Sequence, residues 1–557
     1  MASSQFSRRT LAKLTLAVAS GFSLASCSAE SHTDSASASN SQQDSKNLRF
    51  AQAASVTSLD VATSSSLETA RINAQVIEGL VAANLSTGQP EPALATDWTI
   101  SDDQLTYTFT LRNDVKFHDG STLDSETVRK NFERFEKLAH TSDLSSHAWY
   151  LTFFGTENKS EVLEPLISSY KAQGSSFIIE LSRPSTSFLS ALAQPAFAVC
   201  STGIIGADGT LSSSPIGTGP FTVQSTENDT VKLSRFESYW GNEVPLDSIE
   251  FITIKSSELR FYKLTSDELD VYDQVGREDY VPLARSGYQT RTRDPYALTY
   301  VGINLEHPVF ADPNVRLAVT HAVDASALVH AIFPEGSNTA VDYIPPLFMS
   351  RAEGIETLTK HDQDRAKELL KASSYSGEEV EFYYPTDVSL TSMEKPEVVY
   401  SSIAADLTRA GFTIKPVPIK WSDGYLDKVN ATGTKRGLSL HGFTGSYRDP
   451  NAFMWRVLAP TLISAKALSA LDASPKVKDG TIMPFSDVIE LIQKADALDD
   501  LDERREAFKD ASYHLMEHTV AVPIAYAVSS VALGKNVTSY SVTSTGIDDI
   551  AHADVQK

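Results

Sequence analysis

Cys27 is the residue whose surroundings point most directly to a chemical modification. It follows Leu24-Ala25-Ser26, and small residues before a cysteine with a Ser-rich tract behind it are typical of a lipoprotein cleavage box, where lipid alkylates the thiol. Upstream, Arg8 and Arg9 precede an apolar run of 12 residues, well short of the ~20 that a membrane-spanning helix needs. The pattern predicts an export signal over residues 1–27, twin-arginine or Sec-type, that ends in a lipid anchor. A plain cleaved secretory signal is the alternative.

Enzyme chemistry lacks its usual motifs in this sequence. There is no Gly-x-Ser-x-Gly elbow, no His-Glu-x-x-His, no Walker loop and no cysteine pair. His118 precedes the turn-forming pair Asp119-Gly120, which favours a structural histidine over a metal ligand. We therefore expect a protein that is not an enzyme and needs no cofactor; an extracellular hydrolase with a diffuse active site stays an alternative.

Charge and cysteine content narrow the class of partner. The formal net charge is −23, and loss of residues 1–26 removes three cations and no acids, which leaves −26. Nucleic acid is excluded as a partner because phosphate backbones require a basic surface. Cys200 is the sole cysteine besides Cys27, so a lipidated chain has no intrachain disulfide and depends on its core for stability. The apolar neighbours of Cys200 predict an inert buried thiol.

Alternating strands and helices follow a polar tether. Residues 28–46 contain no large apolar side chain and predict a flexible tether. Some 510 residues remain, more than one hydrophobic core usually organises, so we expect at least two lobes. In Leu105–Leu111 apolar residues alternate with threonine, which predicts a half-buried strand. Asp124 then caps a helix whose apolar stripe is Val128, Phe132, Phe135 and Leu138.

The remaining periodicities complete an α/β pattern of several layers. Helices are predicted over 315–330, 364–372, 396–410, 487–498 and 501–516, and strands over 249–255, 298–304, 380–384 and 413–419.

Seven blocks of sequence, in matching order and spacing, resemble the peptide and nickel solute-binding proteins of ABC importers, solute-binding family 5. Each block alone is weak, and the seven together are highly specific. The resemblance covers residues from about 48 to about 535. The blocks are Val76–Val81, Pro92–Trp98, Leu111–Gly120, Pro215–Phe221, Tyr239–Gly241, Asn314–Asp324 and Ile403–Phe412.

The resemblance implies a two-lobed periplasmic-binding-protein-like clamp, of the class II type and the large cluster with an extra subdomain in lobe I. Lobe I is expected over 47–298 plus 517–557, and lobe II over 299–516. A small solute closes the lobes, and the loaded protein delivers it to ABC permease subunits at the extracytoplasmic face of the bacterial cell membrane. We expect Gly217-Thr218-Gly219-Pro220 to be a tight crossing between lobes. A receptor that senses its ligand without transport is the alternative.

The peptide branch of this family carries, in the segment that corresponds to Gly442–Pro450, an aspartate for the peptide's α-amino group. Ser446 occupies that position here. A hydroxyl does not replace a carboxylate opposite a buried ammonium. Binding of peptides by their N-terminus is therefore in doubt, unless Asp449 has taken over the role; Asp449-Pro450 otherwise shapes a turn.

The segment Ser146-His147-Ala148-Trp149 resembles the nickel branch of the family. In that branch the corresponding segment places a tryptophan on the cleft wall. His441, like His147, is a weak candidate for a metal ligand. Three expected nickel-branch residues are missing, because Ala196, Ser146 and approximately Leu462 replace two arginines and a histidine. Neither a bare metal nor the usual carboxylate chelator is therefore supported.

The remaining candidates for ligand contact lie in one segment. Arg448 can hold a carboxylate, a phosphate or an anionic chelate with its planar guanidinium, or be a solvated loop residue. Tyr447 and Trp149 are candidates for aromatic cleft walls, with core packing as the alternative. The predicted ligand-binding set is Trp149, His147, Thr444, Ser446, Tyr447, Arg448 and Asp449.

Overall fold

The structure is a computed structural model that describes residues 45–141, 148–155, 164–430, 433, 435–462, 464–472 and 482–556. The predicted export signal and all of the tether up to residue 44 lie outside the described residues. Residues 45–557 form one compact unit.

Strands and helices alternate through this unit and are numbered in chain order. The strands are β1 (Asn47–Gln52), β2 (Val81–Ala83), β3 (Pro90–Pro92), β4 (Ala95–Ile100), β5 (Thr106–Leu111), β6 (Ile167–Gln173), β7 (Ser176–Leu181), β8 (Phe221–Glu227), β9 (Thr230–Arg235), β10 (Ser248–Thr253), β11 (Val271–Asp273), β12 (Gln289–Thr292), β13 (Ala297–Ile303), β14 (Asn338–Thr339), β15 (Glu379–Thr386), β16 (Thr413–Lys420), β17 (Leu438–Thr444), β18 (Ala521–Ala527), β19 (Ser530–Leu533), β20 (Val537–Ser541) and β21 (Asp549–Val555). The helices are α1 (Leu67–Asn73), α2 (Ser125–Thr141), α3 (Ala148–Phe154), α4 (Phe188–Leu192), α5 (Ser257–Thr265), α6 (Tyr280–Arg285), α7 (Pro313–Ala322), α8 (Ala325–Ile332), α9 (Ile355–Leu358), α10 (Gln363–Ala372), α11 (Pro396–Ala410), α12 (Tyr425–Asn430), α13 (Asn451–Leu462), α14 (Ala465–Asp472), α15 (Phe485–Asp496) and α16 (Leu501–Glu517).

A seven-stranded sheet has the order β12-β19-β11-β1-β10-β9-β8, with β1 parallel to both β10 and β11. Successive side chains of a strand point to opposite faces, and both faces of this sheet are covered. Phe50 therefore joins one buried apolar cluster and Ala51 another, and Val271 and Tyr272 divide between the same two clusters. The sheet forms the centre of a layered α/β lobe.

A second sheet of six strands has the order β14-β18-β13-β17-β15-β16. Its central strand β13 pairs antiparallel with β17 and β18, while β15 runs parallel to β16 and β17. Every residue of β18 is buried. This apolar run is what a strand covered on both faces requires, and it places the second core around β13 and β18.

A four-stranded antiparallel sheet, β4-β5-β7-β6, packs beneath α2. Asp124 accepts a hydrogen bond from the backbone N–H of Thr127 at 2.7 Å and so stabilises the first turn of α2. The predicted stripe of four apolar side chains on α2 is buried, with Phe132 against Phe177 of β7. This sheet is an extra layer between β3 and β8 in chain order.

The chain passes from the seven-stranded to the six-stranded sheet between β12 and β13, and returns between β18 and β19. The return lies later than the boundary expected at 516–517, because β18 pairs with β13 in the second sheet. The two crossings touch: the backbone N–H of Arg293 donates to the carbonyl of Ser529 at 2.8 Å. Buried ion pairs join Arg293 to Asp273, at 2.9 Å, and to Asp548. These ion pairs anchor the crossings to the part of the molecule that contains the seven-stranded sheet.

Most of the predicted elements are present, and two expectations are wrong. The helix expected over 315–330 is two helices, since Asp324 accepts from the N–H of Ala327 at 2.9 Å and starts α8 anew. Residues 217–220 connect the four-stranded to the seven-stranded sheet rather than one lobe to the other. Gly217 and Gly219 are required there, because an added Cβ would lie 2.1 Å and 2.8 Å from the backbone of Val76.

Candidate functional site

An open cavity lies between the two halves of the molecule, and about 800 Å³ of empty space, which includes open solvent, falls within it. We call the seven- and four-stranded sheets, with the helices and loops that pack on them, the first half. The six-stranded sheet, with its own helices and loops, is the second half. The first half contributes the segment 61–70, Gln194–Ala196, Thr545 and Ile547. The second half contributes 390–392, Trp421, Leu426, the end of β17 with the loop after it, and Arg456 of α13. A cavity lined by both halves is where a molecule that joins them would bind.

A second open cavity adjoins the first, with about 1100 Å³ of empty space that likewise includes open solvent. The two share five lining residues, which are Gln194, Pro195, Ser446, Thr545 and Ile547. The second cavity is also lined by Glu78, Arg448 and the segment 81–85. We refer to the two cavities together as the cleft, and to each as the first or second cavity.

Polar contacts cross between the halves at two places. The Gln274 amide donates to the Thr391 hydroxyl at 3.2 Å, and Lys395 lies 2.8 Å from Glu278. Elsewhere the Asn451 amide donates to the Ser187 hydroxyl at 3.0 Å. These contacts hold the halves together around the cavities.

Four predicted site residues lie together at the end of β17. Thr444 and Ser446 line the first cavity, and Ser446, Tyr447 and Arg448 line the second. The Arg448 Nη1 donates to the carbonyl of Ser86, in the first half, at 3.2 Å. Tyr447 is buried, and its carbonyl accepts from the hydroxyl of Tyr296. The structure thus brings this part of the predicted set together at the cleft.

Asp449 is occupied elsewhere. Its carboxylate lies 2.8 Å from the guanidinium of Arg504 and accepts from the backbone N–H of Asn451, at 2.9 Å, in the first turn of α13. Burial raises the pKa of Asp449 to about 6, although Arg504 acts in the opposite direction. Among the described residues Asp449 lines neither cavity of the cleft.

The two predicted histidines are not brought together in the described part of the chain. His147 lies outside the described residues, and of Trp149 only the backbone, in α3, is described. His441 is buried inside the second half, where its Nε2 lies 2.7 Å from the Ser439 hydroxyl and its ring stacks on Tyr300. Burial, with Arg436 and Arg456 nearby, lowers the pKa of His441 to about 3. His118 is structural, with its Nε2 2.9 Å from the carbonyl of Gly219.

Sequence reasoning missed three cleft residues that the structure reveals. Gln194, Trp421 and Arg456 line the first cavity, and the Arg456 guanidinium lies over the ring of Phe443, 4.8 Å from its centroid. Arg456 is the sole charged residue of α13, which is a signal that could have identified it. Gln194 is a lone amide among apolar residues, and Trp421 carried no comparable signal.

Within the described part of the chain two carboxylates face the cleft, and donors from the first half contact both. Glu68 accepts from the Ser66 hydroxyl at 2.8 Å. Glu78 accepts from Thr218 at 2.6 Å, Tyr239 at 2.9 Å and Trp240 at 2.7 Å. Burial raises the pKa of both glutamates, against these donors.

Comparison with known proteins places the chain among binding proteins. The sequence profile described as "Bacterial extracellular solute-binding proteins, family 5 Middle" matches residues 89–464. The chain is 26% identical to heme-binding protein A of Haemophilus influenzae, over 96% of this chain and 97% of that one. It is 27% identical to the dipeptide-binding protein of Escherichia coli, over 84% and 86% of the two chains.

Solved structures share the fold. The periplasmic binding protein DppA of Helicobacter pylori, in complex with the peptide STSA, superposes with a TM-score of 0.78 at 23% identity, over 92% of this chain and 98% of that one. NikA of Staphylococcus aureus, in complex with Ni(L-His)2, superposes with a TM-score of 0.70 at 18% identity, over 92% and 100%. The likeness supports the two-lobed clamp that the sequence predicted.

Proposed function

The chain belongs to family 5 of the bacterial extracellular solute-binding proteins, and from this premise we propose that it is an exported, lipid-anchored receptor that delivers a small solute to an ABC-type importer. The observation that carries this proposal is the cleft, because residues of both halves line one cavity and polar contacts also join the two halves directly. A solute there contacts both halves at once, so its binding favours the closed arrangement.

We propose the two crossings as the hinge. Lobe I then comprises the first half and lobe II the second, with the chain passing between them at residues 293–296 and 528–529. The ion pairs of Arg293 with Asp273 and Asp548 are buried in the first half, so the moving part of each crossing lies on the side of β13 and β18. Closure would follow small changes in backbone angles at these crossings.

The solute is proposed to be peptide-like, with a metal complex as the second candidate. Named relatives bind dipeptides and heme, which supports both classes. In the described ranges no group of three or more His, Cys, Asp or Glu side chains could hold a metal ion. A metal therefore enters this proposal only together with its own chelator.

Thr444, Ser446, Tyr447 and Arg448 are proposed as ligand contacts from the second lobe, because they lie at the cleft. Asp449 is proposed to hold the loop in place through Arg504 rather than to bind an ammonium. Trp149 and His147 stay candidates on the resemblance alone. No catalytic role and no cofactor are proposed.

Cys27 is proposed as the site of the lipid anchor, on the basis of the sequence pattern around it. The Cys27→Ser variant should move from the membrane fraction to the soluble extracellular fraction. The intact mass of the wild-type protein should exceed the mass of residues 27–557 by that of the attached lipid. A wild-type mass without this excess would contradict the anchor and leave a plain secretory signal.

Native mass spectrometry tests the receptor itself. The detergent-solubilised protein is purified from its host, measured intact, and measured again after denaturation releases any bound solute. A peptide mixture would support the peptide-like class, and a species with a metal isotope pattern would support the chelate. A host that lacks the protein should lose uptake of the identified solute. Unchanged uptake would contradict delivery to an importer and favour sensing.

A further inference from the structure

A third cavity lies inside the second half, apart from the cleft. It contains about 570 Å³ of space, open solvent included, and none of the described residues that line it lines either cavity of the cleft. Its walls come mainly from residues 300–306 at the end of β13, from Arg436 and His441, and from one side of α13. A molecule bound there contacts the second half alone.

Arg436 is the one cation among the described residues that line this cavity, and no described carboxylate forms an ion pair with it. Its Nη1 donates to the Ser439 hydroxyl at 3.3 Å, and its buried Nε has no hydrogen-bond partner in the described part of the chain. Burial lowers the pKa of Arg436, but a guanidinium stays charged at neutral pH. A charge removed from water without an opposite charge is unfavourable, so this position favours an anion.

Two hydroxyl groups of the same cavity are unused. Tyr300 and Thr461 are both buried, and neither hydroxyl makes a hydrogen bond to another described residue. A buried tyrosine hydroxyl usually has a partner. Burial raises the pKa of Tyr300 to about 12, against the effect of Arg436 and Arg456, so its hydroxyl keeps the proton that it can donate. Both hydroxyls can therefore donate to an anion beside Arg436.

His441 adds a further donor to the wall. The Ser439 hydroxyl accepts from Arg436 and lies 2.7 Å from the His441 Nε2, the acceptor within its reach, so Ser439 donates its proton there. The neutral imidazole then carries its own proton on Nδ1. Gly302 makes room for the ring, because a Cβ added there would lie 2.8 Å from the His441 Cδ2.

Glu306 is the one carboxylate that lines this cavity in the described ranges, and both of its oxygens are engaged. Oε1 accepts from the Ser464 hydroxyl at 2.5 Å, and Oε2 accepts from the backbone N–H of Gly433 at 2.9 Å. The Lys466 ammonium donates to the Glu306 carbonyl at 2.6 Å and adds positive charge nearby. Because Glu306 opposes a second negative charge, the cavity favours a monoanion over a dianion such as sulfate.

We propose that the third cavity binds a small planar monoanion such as acetate, nitrate or bicarbonate, held by Arg436 and by the hydroxyls of Tyr300 and Thr461. A planar guanidinium matches two oxygens that lie in one plane. The anion neutralises Arg436 between β13, β17 and α13 and so stabilises the second half. This inference goes beyond the proposed function and does not depend on it, because none of these three residues lines the cleft.

Saturation-transfer NMR with acetate tests the site on the detergent-solubilised protein at constant ionic strength. The acetate methyl signal should show saturable transfer from the protein. Nitrate should displace acetate, and the dianion sulfate should do so about tenfold less effectively or worse, because Glu306 opposes its second charge. Thermal unfolding gives a second readout, since acetate should raise the Tm of the wild type and leave that of Arg436→Gln unchanged.

Variants assign the roles. Arg436→Gln should weaken acetate binding by about tenfold or more, and Arg436→Lys should recover part of the loss, since an ammonium lacks the planar pair of donors. Tyr300→Phe and Thr461→Val should each weaken acetate binding about threefold, and each removes a hydroxyl without a partner among the described residues. The matched controls are Arg365→Gln, on the exposed face of α10, and Tyr262→Phe, whose side chain is 63% exposed.

Three results would overturn the proposal: acetate shows no saturable transfer, sulfate displaces it as well as nitrate does, or Arg436→Gln binds it as the wild type does, which would show adventitious binding only. If Arg436→Gln does not fold, unchanged acetate binding in both hydroxyl variants contradicts the site. The cleft is read separately, through Arg448→Ala, which should leave acetate binding unchanged. A loss of acetate binding in Arg448→Ala would place acetate in the cleft and overturn the proposal.

Discussion

The carboxylate of Asp449 lies 2.8 Å from the guanidinium of Arg504, and the same guanidinium lies 3.1 Å from Asp496. One cation thus pairs with a buried acid, Asp449, and a partly buried one, Asp496. Asp449 therefore holds the loop between β17 and α13 through a contact away from the cleft, while Ser446 and Arg448 of the same loop line the cleft. The arrangement separates residues that shape the site from residues that line it.

Asp449 should make stability depend on pH. Its pKa in the folded protein is raised by burial to about 6 from 3.8, so the folded state holds the proton more tightly than the unfolded state. The stabilisation from this proton is full below pH about 4 and is lost as pH rises through about 6. When the pH is lowered from 7 to 4, the free energy of unfolding of the wild type should rise by about 1–3 kcal/mol relative to that of Asp449→Asn. Chemical denaturation at both pH values measures it.

A direct ligand role for Asp449 predicts a different result. Asp449→Asn would then weaken solute affinity strongly at pH 7 and leave the pH dependence of unfolding unchanged. In our interpretation the asparagine keeps the hydrogen bond from the N–H of Asn451, and the affinity changes less than threefold.

Gly88 and Arg448 form a contact that a single methyl group should break. Gly88 has a φ of +74°, and a Cβ added there would lie 2.5 Å from the Cδ of Arg448. Gly88→Ala should therefore displace Arg448 and weaken solute binding about tenfold, as Arg448→Ala should. Gly120→Ala is the matched control, because Gly120 has a φ of +83° and open space around it. Both alanine variants should lose about 1 kcal/mol of stability from backbone strain.

Affinity measurements on the retained solute decide this prediction. If Gly120→Ala lowers affinity as much as Gly88→Ala, backbone strain rather than Arg448 is responsible. If Arg448→Ala leaves affinity unchanged, Arg448 does not belong to the site.

Local sequence patterns predicted most of the elements, and the reason is visible in α11. Pro396 occupies its first turn and Gly411, with a φ of +114°, ends it, so both boundaries were encoded within the helix itself. The strand β15 and helix α16 likewise followed from periodicity over their own residues. Boundaries fixed by long-range pairing were not predictable in this way, as the late return after β18 shows.

The cleft was predictable in part. The end of β17 and the loop after it carried a family pattern and supplied Thr444, Ser446, Tyr447 and Arg448. Gln194 and Arg456 lie far apart in sequence, and each meets the cavity because the two halves close on one another. No local periodicity encodes that meeting. The burial that leaves the Gln194 amide without a hydrogen-bond partner among the described residues is likewise a property of the folded chain alone.

Gln274 and Thr391 should contribute to closure. The Gln274 amide donates across the cleft rim to Thr391 and accepts from Ser389 at 3.4 Å. Gln274→Asn is one methylene too short for both contacts but tolerates the φ of +56°. Loss of about 1 kcal/mol of contact should weaken solute binding about fivefold. At a solute concentration that half-saturates the wild type, small-angle scattering should show a larger radius of gyration for Gln274→Asn than for the wild type.

Thr391→Val removes the hydroxyl from the other side of the same contact. The double variant should then be no worse than Gln274→Asn alone, because that variant has already lost the contact that Thr391→Val removes. Strictly additive losses would show that Gln274 and Thr391 do not act on closure through each other.

Cys200 should report on both folding and lipidation. Its thiol is buried, contacts the Asn131 amide oxygen at 3.3 Å, and has a pKa raised by burial to about 11. An Ellman assay at pH 8 should therefore label less than a tenth of it in the folded protein. In guanidinium chloride the mature protein should show one thiol. Two thiols would contradict the lipidation of Cys27.

His441 should oppose Asp449 in the pH dependence of stability. Its pKa in the folded protein is lowered to about 3 from 6.5, because burial and the nearby Arg436 and Arg456 disfavour the imidazolium. Its contribution is present above pH 6.5 and is lost as pH falls toward 3. When the pH is lowered from 7 to 4, the free energy of unfolding of the wild type should therefore fall by up to about 3 kcal/mol relative to that of His441→Gln. A ligand role in a metal site predicts instead that His441→Gln abolishes binding of a metal chelate. We expect that affinity to stay within threefold, since two guanidinium groups beside the ring repel a cation.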